Sequence, residues 1–154
     1  MLVCAYAGIY WGTKLVPVKK NGNAVAFVFD ISYSMQADDA AGNMTRLDSA
    51  ARYADELLEY MDRTSVSVIL TKGEGVVAIP LTEDFTSIHT LLSMLSPKLM
   101  TTIGTNLGNG IETAIKSFPE QSSMASRIWV FTDGDEPSSN YIQALEHTVK
   151  CGIP

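Results

Sequence analysis

The sequence lacks any stretch of about eighteen or more apolar residues, so no part of it is predicted to cross a bilayer as a helix. Basic residues are also scarce, with 11 Lys and Arg against 17 Asp and Glu and a net charge of −6. Lys19-Lys20 is its one adjacent basic pair. Because nucleic-acid backbones are held by many Lys and Arg contacts, no nucleic-acid partner is expected.

Cysteine and histidine are equally rare. Cys4 and Cys151 lie near opposite ends of the chain, too few for a disulfide framework and at a spacing that fits no zinc motif. They are interpreted as small apolar residues. His89 and His147 fall on predicted helices, far apart in sequence, and are interpreted as surface residues. A metal site built on thiolates or imidazoles is therefore not predicted.

What the sequence does contain is typical of one globular domain. It has 154 residues, of which 46% are hydrophobic and 18% charged, enough for a sizeable core. The first eleven residues are unusually apolar for a terminus but lack the basic start of a signal peptide. Two interpretations stay open for residues 1–11: an apolar arm belonging to the fold, or the end of a membrane anchor. The domain itself is assigned to residues 12–154.

Apolar runs alternate with helical patterns along the domain. Continuous runs at residues 24–29 and 128–132 are each predicted to be a strand buried on both faces, and an aspartate follows each of them. Two further strands, residues 66–70 and 76–80, flank Lys72-Gly73-Glu74-Gly75 and predict a hairpin. Apolar residues recur at helical spacing up to Met61, in a helix that Thr45 can cap, and again over residues 85–95. A loop rich in Thr and Gly, residues 101–110, opens a third helix running towards Phe118, and a last helix covers residues 139–150.

This alternation predicts an α/β fold, a three-layer α/β/α doubly wound domain with a mostly parallel, Rossmann-like sheet and one antiparallel edge hairpin. The last helix leads into Gly152-Ile153-Pro154, an apolar start that normally introduces another strand. The domain is therefore expected to lack its last strand here.

Three oxygen-rich segments are predicted to meet at one edge of the sheet, because ligands of open α/β sheets bind beyond the carboxyl ends of the strands. They are Asp30-Ile31-Ser32-Tyr33-Ser34, Gly104-Thr105-Asn106 and Thr132-Asp133-Gly134-Asp135. Each segment alone is weak evidence, since Ser and Asp are ordinary loop residues. Together they offer carboxylates and hydroxyls without imidazole or thiolate. Such hard ligands suit Mg²⁺, with Mn²⁺ or Ca²⁺ as substitutes, and can leave one position for an outside carboxylate.

The order of these motifs resembles the metal-ion-dependent adhesion site (MIDAS) of von Willebrand factor type A (VWA) domains, including integrin I domains. It is most similar to bacterial Bat (aerotolerance-operon, BatA/BatB-like) membrane proteins, whose order is followed by residues 30–39, Arg46-Leu47, Ile79-Pro80-Leu81-Thr82, residues 104–108 and residues 131–134. The resemblance runs from about Tyr10 onward. The family continues into a further strand and helix, which this chain is expected to lack.

The resemblance implies that a divalent metal is held by Asp30, Ser32, Ser34, Thr105 and Asp133, directly or through water. It implies a domain that is not an enzyme and that binds a protein partner, whose Glu or Asp completes the coordination shell. Other Bat-type membrane components would be partners, in a bacterial protein anchored to the inner membrane with this domain outside the bilayer, on the extracytoplasmic side. The resemblance also favours the anchor interpretation of residues 1–11.

Two other functions stay open. An intracellular scaffold associated with a chelatase or ATPase would carry the same metal site but no membrane flank. A Mg²⁺-dependent phosphohydrolase of the haloacid dehalogenase type also begins with an aspartate at a strand end, but Ser32 stands where its second aspartate is needed and no general acid or base follows. Gly104, Gly108 and Gly110 fit neither a dinucleotide-binding nor a phosphate-binding loop.

Overall fold

A computed structural model describes residues 22–40, 42–119, 125–135 and 140–154. The arm or anchor end predicted at residues 1–11 lies outside these ranges. Within them, none of the helices combines the length and the apolar character needed to cross a bilayer. The elements of the described ranges are β1 (Asn23–Asp30), α1 (Arg46–Leu58), β2 (Thr64–Lys72), β3 (Glu74–Thr82), α2 (Phe85–Leu92), α3 (Leu107–Ser117), β4 (Ala125–Phe131) and α4 (Asn140–Lys150), with short 3₁₀ helices at Tyr33–Gln36 and Pro97–Leu99.

The strands form one sheet in the order β3-β2-β1-β4. β1 is parallel to both β2 and β4, whereas β2 and β3 pair in antiparallel fashion. In the strand-pairing register, Asp30 is paired with Thr71 of β2, and Phe29 is paired with Phe131 of β4. The predicted mostly parallel sheet with one antiparallel edge hairpin is therefore confirmed, and the carboxyl ends of β1, β2 and β4 finish level with one another.

The sheet separates two layers of helices. Phe27 and Phe29 of β1 lie in a core with α1 and α2, while Ala26 and Val28 lie in a second core with α3 and α4. This division follows from the alternation of side chains along a strand. In the first core the rings of Phe29 and Phe131 stack with centroids 4.5 Å apart. The three-layer arrangement predicted from the sequence is thus confirmed.

β4 differs from its prediction. β1 is buried from Ala24 to Asp30, as expected, but β4 is only partly buried and Val130 is 37% exposed. The reason is position, because β4 is an edge strand of the described sheet. Beyond α4, the backbone N–H of Ile128 donates to the carbonyl of Pro154 at 3.2 Å, so the chain returns alongside β4 after Gly152.

Local signals mark the start of α1 and the end of α4. The hydroxyl of Thr45 caps α1 by accepting from the backbone N–H of Asp48 at 3.0 Å. Gly152 ends α4 with a φ of 69°, a conformation that glycine adopts without strain. α2 stops at Leu92, three residues earlier than the sequence pattern predicts. Pro97 disfavours helical geometry in the residue before it and instead begins a 3₁₀ turn.

Candidate metal centre

Asp30 ends β1 and is fully buried. The backbone N–H of Ser32 donates to its Oδ1 at 2.8 Å, and the hydroxyl of Thr132 donates to its Oδ2 at 3.2 Å. Burial raises the pKa of Asp30 above its ordinary value, and the charge of Asp133 adds to this, against the lowering effect of the Ser32 and Thr132 hydrogen bonds. The carboxylate is therefore fixed in place, in surroundings where a nearby cation would stabilise its charge.

Ser32 and Ser34 lie in the loop that follows. The backbone N–H of Ile31 donates to the carbonyl of Thr71 at 3.0 Å, and a 3₁₀ turn then begins at Tyr33. The two serine hydroxyl oxygens lie 2.9 Å apart, while the intervening Tyr33 is 66% exposed. The Asp-x-Ser-x-Ser pattern thus turns its alternate side chains towards one point, as the sequence predicts.

Asp133 follows β4, with its side chain only 4% exposed. Its Oδ1 accepts from the backbone N–H of Asp135 at 3.1 Å, and its Oδ2 accepts from the guanidinium of Arg46 at 2.9 Å. Burial acts to raise the pKa of Asp133, but hydrogen bonds from Asp135, Ser34 and Arg46 outweigh it, and the pKa lies below its ordinary value. Asp133 is therefore held as an anion beside Ser34.

Thr105 is partly buried in the loop that precedes α3. Among the residues that the structure describes, no hydrogen bond joins its side chain to the other four predicted ligands. Its loop is nonetheless bound to the end of β2, because the hydroxyl of Thr71 donates to the carbonyl of Asn106 at 2.7 Å. Gly73 packs against the same loop so closely that a Cβ there would lie 2.6 Å from the carbonyl oxygen of Ile103.

Lys72 is a residue of this site that the sequence pattern assigned to a turn. It is the last residue of β2 and only 3% exposed. Its Nζ donates to the carbonyls of Pro97 at 2.7 Å and Met100 at 3.2 Å, and lies 4.3 Å from the ring centroid of Tyr33. Lys72 therefore ties the serine loop to the segment that leads to Thr105. All of β2 is buried on both faces, so strand alternation carries no signal that Lys72 is enclosed.

Arg46 is the second residue of the site to which sequence spacing assigned no role. It begins α1 and binds Asp133, 87 positions further along the chain. Its Nε and second terminal nitrogen also donate to the carboxylate of Asp39, at 2.8 Å and 2.6 Å. Arg46 thus links a loop acid to one of the predicted metal ligands.

These residues fit a hard divalent cation. The structure brings together Asp30, Ser32, Ser34 and Asp133 and sets the Thr105 loop at the end of the neighbouring strand. Every candidate metal-ligating atom is oxygen, the kind of ligand that Mg²⁺, Mn²⁺ and Ca²⁺ prefer. In the described part of the chain, no group of three or more His, Cys, Asp or Glu could hold a metal. An ion here would consequently depend on hydroxyl groups and water as well as on carboxylates.

A model of the von Willebrand factor type A domain matches residues 25–136, which include all of these residues. The chain belongs to this family. The five predicted ligands, Asp30, Ser32, Ser34, Thr105 and Asp133, all lie within the range that the family model matches. No curated protein sequence matched the chain.

Among solved structures, this VWA domain is similar to Bat proteins. It is 32% identical to an aerotolerance-related membrane protein from Bacteroides fragilis, with a TM-score of 0.80 over 86% of this chain and 64% of that one. BatB from Bacteroides thetaiotaomicron is also 32% identical, with a TM-score of 0.81 over 86% of this chain and 63% of that one. The chain thus spans less than two thirds of either protein.

A more distant VWA structure carries a metal. Proximal thread matrix protein 1 of the mussel byssus, solved with a zinc-occupied MIDAS motif, is 20% identical. Its TM-score is 0.68 over 88% of this chain and 35% of that one, which shows a shared fold.

Proposed function

We propose that this VWA domain binds one divalent cation through Asp30, Ser32, Ser34, Thr105 and Asp133 and uses it to bind a Glu or Asp of a partner protein. The observation that carries the proposal is the pair of serine hydroxyls, 2.9 Å apart, with each serine hydrogen-bonded to one of two enclosed carboxylates. Mg²⁺ is the expected ion, with Mn²⁺ or Ca²⁺ as substitutes.

Hydrogen bonds to both carboxylates support this role. Each oxygen of Asp30 already accepts a hydrogen bond from the protein, and so does each oxygen of Asp133. The hydroxyls of Ser32, Ser34 and Thr105 therefore supply uncharged ligands, while the carboxylates orient them and provide nearby negative charge. A bound divalent cation would supply an electrophilic centre whose charge is only partly neutralised, and an outside carboxylate would complete its shell.

The cellular role is proposed from the similarity to Bat proteins. One of the similar structures is described as an aerotolerance-related membrane protein. We assign the domain to a membrane-anchored bacterial Bat-type complex, on the extracytoplasmic side, with other Bat-type components as partners and residues 1–11 as the end of the anchor. Its role is binding rather than catalysis. Fractionation of the full-length protein tests this assignment, because the intracellular scaffold alternative predicts recovery in the cytosol.

Calorimetry tests the metal site. The wild-type chain is expected to take up one Mg²⁺ or Mn²⁺, and Asp30→Ala to abolish uptake while the far-ultraviolet circular dichroism remains that of a folded domain. Asp38→Ala, which removes an exposed loop acid nearby, is the matched control and should bind as the wild type does. A folded wild-type chain that takes up neither ion would disprove the proposed function.

Partner binding is tested on the metal-loaded protein. A peptide containing Glu is expected to bind in the presence of Mn²⁺ and to be released by EDTA, whereas the same peptide with Gln should not bind. Equal binding of both peptides, or Glu-peptide binding that survives EDTA, would show that the cation does not recognise the carboxylate.

A further inference from the structure

We propose that Arg46 holds the Asp133 carboxylate back from the bound cation, so that the cation retains its attraction for the partner's carboxylate. The inference rests on the proposed function and deepens it, because it assigns a residue that sets the balance between metal affinity and ligand affinity. Arg46 is here a positioning residue, acting on the ion through Asp133.

The first support is the geometry of the guanidinium. One terminal nitrogen donates to Oδ2 of Asp133 at 2.9 Å, while Nε and the other terminal nitrogen grip both oxygens of Asp39. The backbone is fixed as well, since the N–H of Arg46 donates to the carbonyl of Ala37 at 3.0 Å. The planar fork of arginine suits this two-sided arrangement, which a single ammonium group cannot reproduce.

The second support is the surroundings of Asp133. Its side chain is 4% exposed, whereas that of Arg46 is 38% exposed, so the carboxylate is the enclosed partner of the pair. Among the described residues, Arg46 is the basic side chain that forms an ion pair with Asp133. Its charge contributes to lowering the pKa of that carboxyl. To coordinate the metal directly, Asp133 would have to break its charge-assisted hydrogen bond with Arg46 in an enclosed environment.

The third support is the charge balance of the site. A divalent cation and Arg46 together balance the charges of Asp30, Asp133 and Asp39, the third carboxylate that Arg46 binds. Without Arg46 the same groups would carry one excess negative charge, and Asp133 would be released to bind the ion directly. Metal affinity should then rise, while attraction for an outside carboxylate should fall. A residue that only maintains the fold would lower both affinities together.

The experiment compares Arg46→Gln and Arg46→Lys with a control on the same helix. Arg52→Gln is the matched control, because the Arg52 side chain is 68% exposed and its ion-pair partner among the described residues is Glu56, one turn along α1. Calorimetry measures Mn²⁺ affinity, and a second titration measures the Glu-containing peptide on the Mn²⁺-loaded protein. Thermal unfolding reports whether each variant folds.

Arg46→Gln is expected to bind Mn²⁺ about threefold more tightly and the Glu peptide about tenfold more weakly, the latter equal to about 1.4 kcal/mol. Arg46→Lys, which keeps the charge but not the fork, should lie between wild type and Arg46→Gln and tests the proposal even if Arg46→Gln does not fold. Arg52→Gln should match the wild type in both titrations.

Changes of the same sign in both affinities, or no change in either, would overturn the role of Arg46 while leaving the metal site standing. A wild-type chain that takes up no Mn²⁺ would instead overturn the proposed function, and this inference with it. The two failures are therefore distinguishable.

Discussion

The ammonium nitrogen of Lys72 lies over the ring of Tyr33, 4.3 Å from its centroid, while donating hydrogen bonds to two backbone carbonyls of the 97–100 segment. One buried side chain thereby joins two of the loops that form the metal site. Cation–π contacts contribute from about 0.5 to 2 kcal/mol depending on burial, so this contact adds to the free energy that holds the serine loop in place. We therefore expect the position of Thr105 to depend on a residue outside the ligand set.

Replacing Lys72 tests this dependence. Lys72→Met should lower the free energy of unfolding by about 2–4 kcal/mol, because it leaves two carbonyls without their charged donor. Mn²⁺ affinity should also fall, since the Thr105 loop loses its tie to the serine loop. Denaturant unfolding and calorimetry measure the two effects. Lys98→Met, which changes an exposed lysine of the same segment, should alter neither. A Lys72→Met variant with unchanged metal affinity would show that the loops are positioned without it.

Asp30→Asn should separate metal binding from stability. Burial raises the pKa of Asp30, so the folded protein disfavours its charged form, and this contribution lowers the stability of the metal-free protein as pH rises through that pKa. The amide removes the charge and can still accept from the N–H of Ser32. We therefore expect a variant at least as stable as the wild type in EDTA, with a weaker dependence of stability on pH.

The same variant should gain nothing from added metal. At a Mn²⁺ concentration 100 times the dissociation constant, the wild type should be stabilised by about 2.7 kcal/mol. Thermal unfolding with and without Mn²⁺ measures this difference. Equal stabilisation of wild type and Asp30→Asn would place the ion elsewhere.

Thr105→Val should weaken Mn²⁺ binding by about tenfold, or about 1.4 kcal/mol, because it replaces a ligand hydroxyl with a methyl group of similar volume. Thr105→Ser should retain most of the affinity. Thr101→Val, at an exposed position earlier in the same loop, is the control and should leave calorimetry unchanged. Wild-type affinity in Thr105→Val would remove this residue from the ligand set.

Gly110→Ala should destabilise the domain by about 1–3 kcal/mol through overpacking. Gly110 lies where α3 crosses the sheet, and a Cβ there would come within 2.9 Å of Thr71 Cβ and 3.0 Å of Val28 Cγ1. Denaturant unfolding measures the loss. Asn109→Ala, one position earlier and exposed, should be neutral or slightly stabilising, since alanine favours helix. Equal stability of the two variants would show that α3 can move away from the sheet.

The parts of this structure that were predictable from the sequence depend on local patterns. A continuous apolar run closed by Asp30 predicts both a central strand and the place where a ligand follows it. The spacing of Ser32 and Ser34 predicts that their side chains turn to the same point. Thr45 predicts the start of α1 through its capping hydroxyl. In each case the cause lies within a few residues of its effect.

The parts that were not predictable depend on contacts between distant segments. Arg46 binds Asp133, 87 positions further along the chain, and no periodic pattern in the sequence predicts such a pair. Lys72 is buried because the 97–100 segment folds over the end of β2, which the hairpin pattern around Gly73 does not reveal. β4 has the composition of a central strand, but its exposure follows from the order of the strands in the sheet.

The carboxyl ends of β1, β2 and β4 lie side by side, and this has a consequence for how the ion would bind and leave. Asp30 is positioned by pairing between β1 and β2, the Thr105 loop by the Thr71 hydroxyl, and Asp133 by hydrogen bonds from Asp135 and Arg46. These are contacts of the protein with itself. In zinc fingers, by contrast, the polypeptide folds only around its ion. Here a chelator should strip the cation from an intact domain, and fresh cation should return without refolding. Attachment to a partner would then be reversible on demand, governed by how much free divalent ion surrounds the protein.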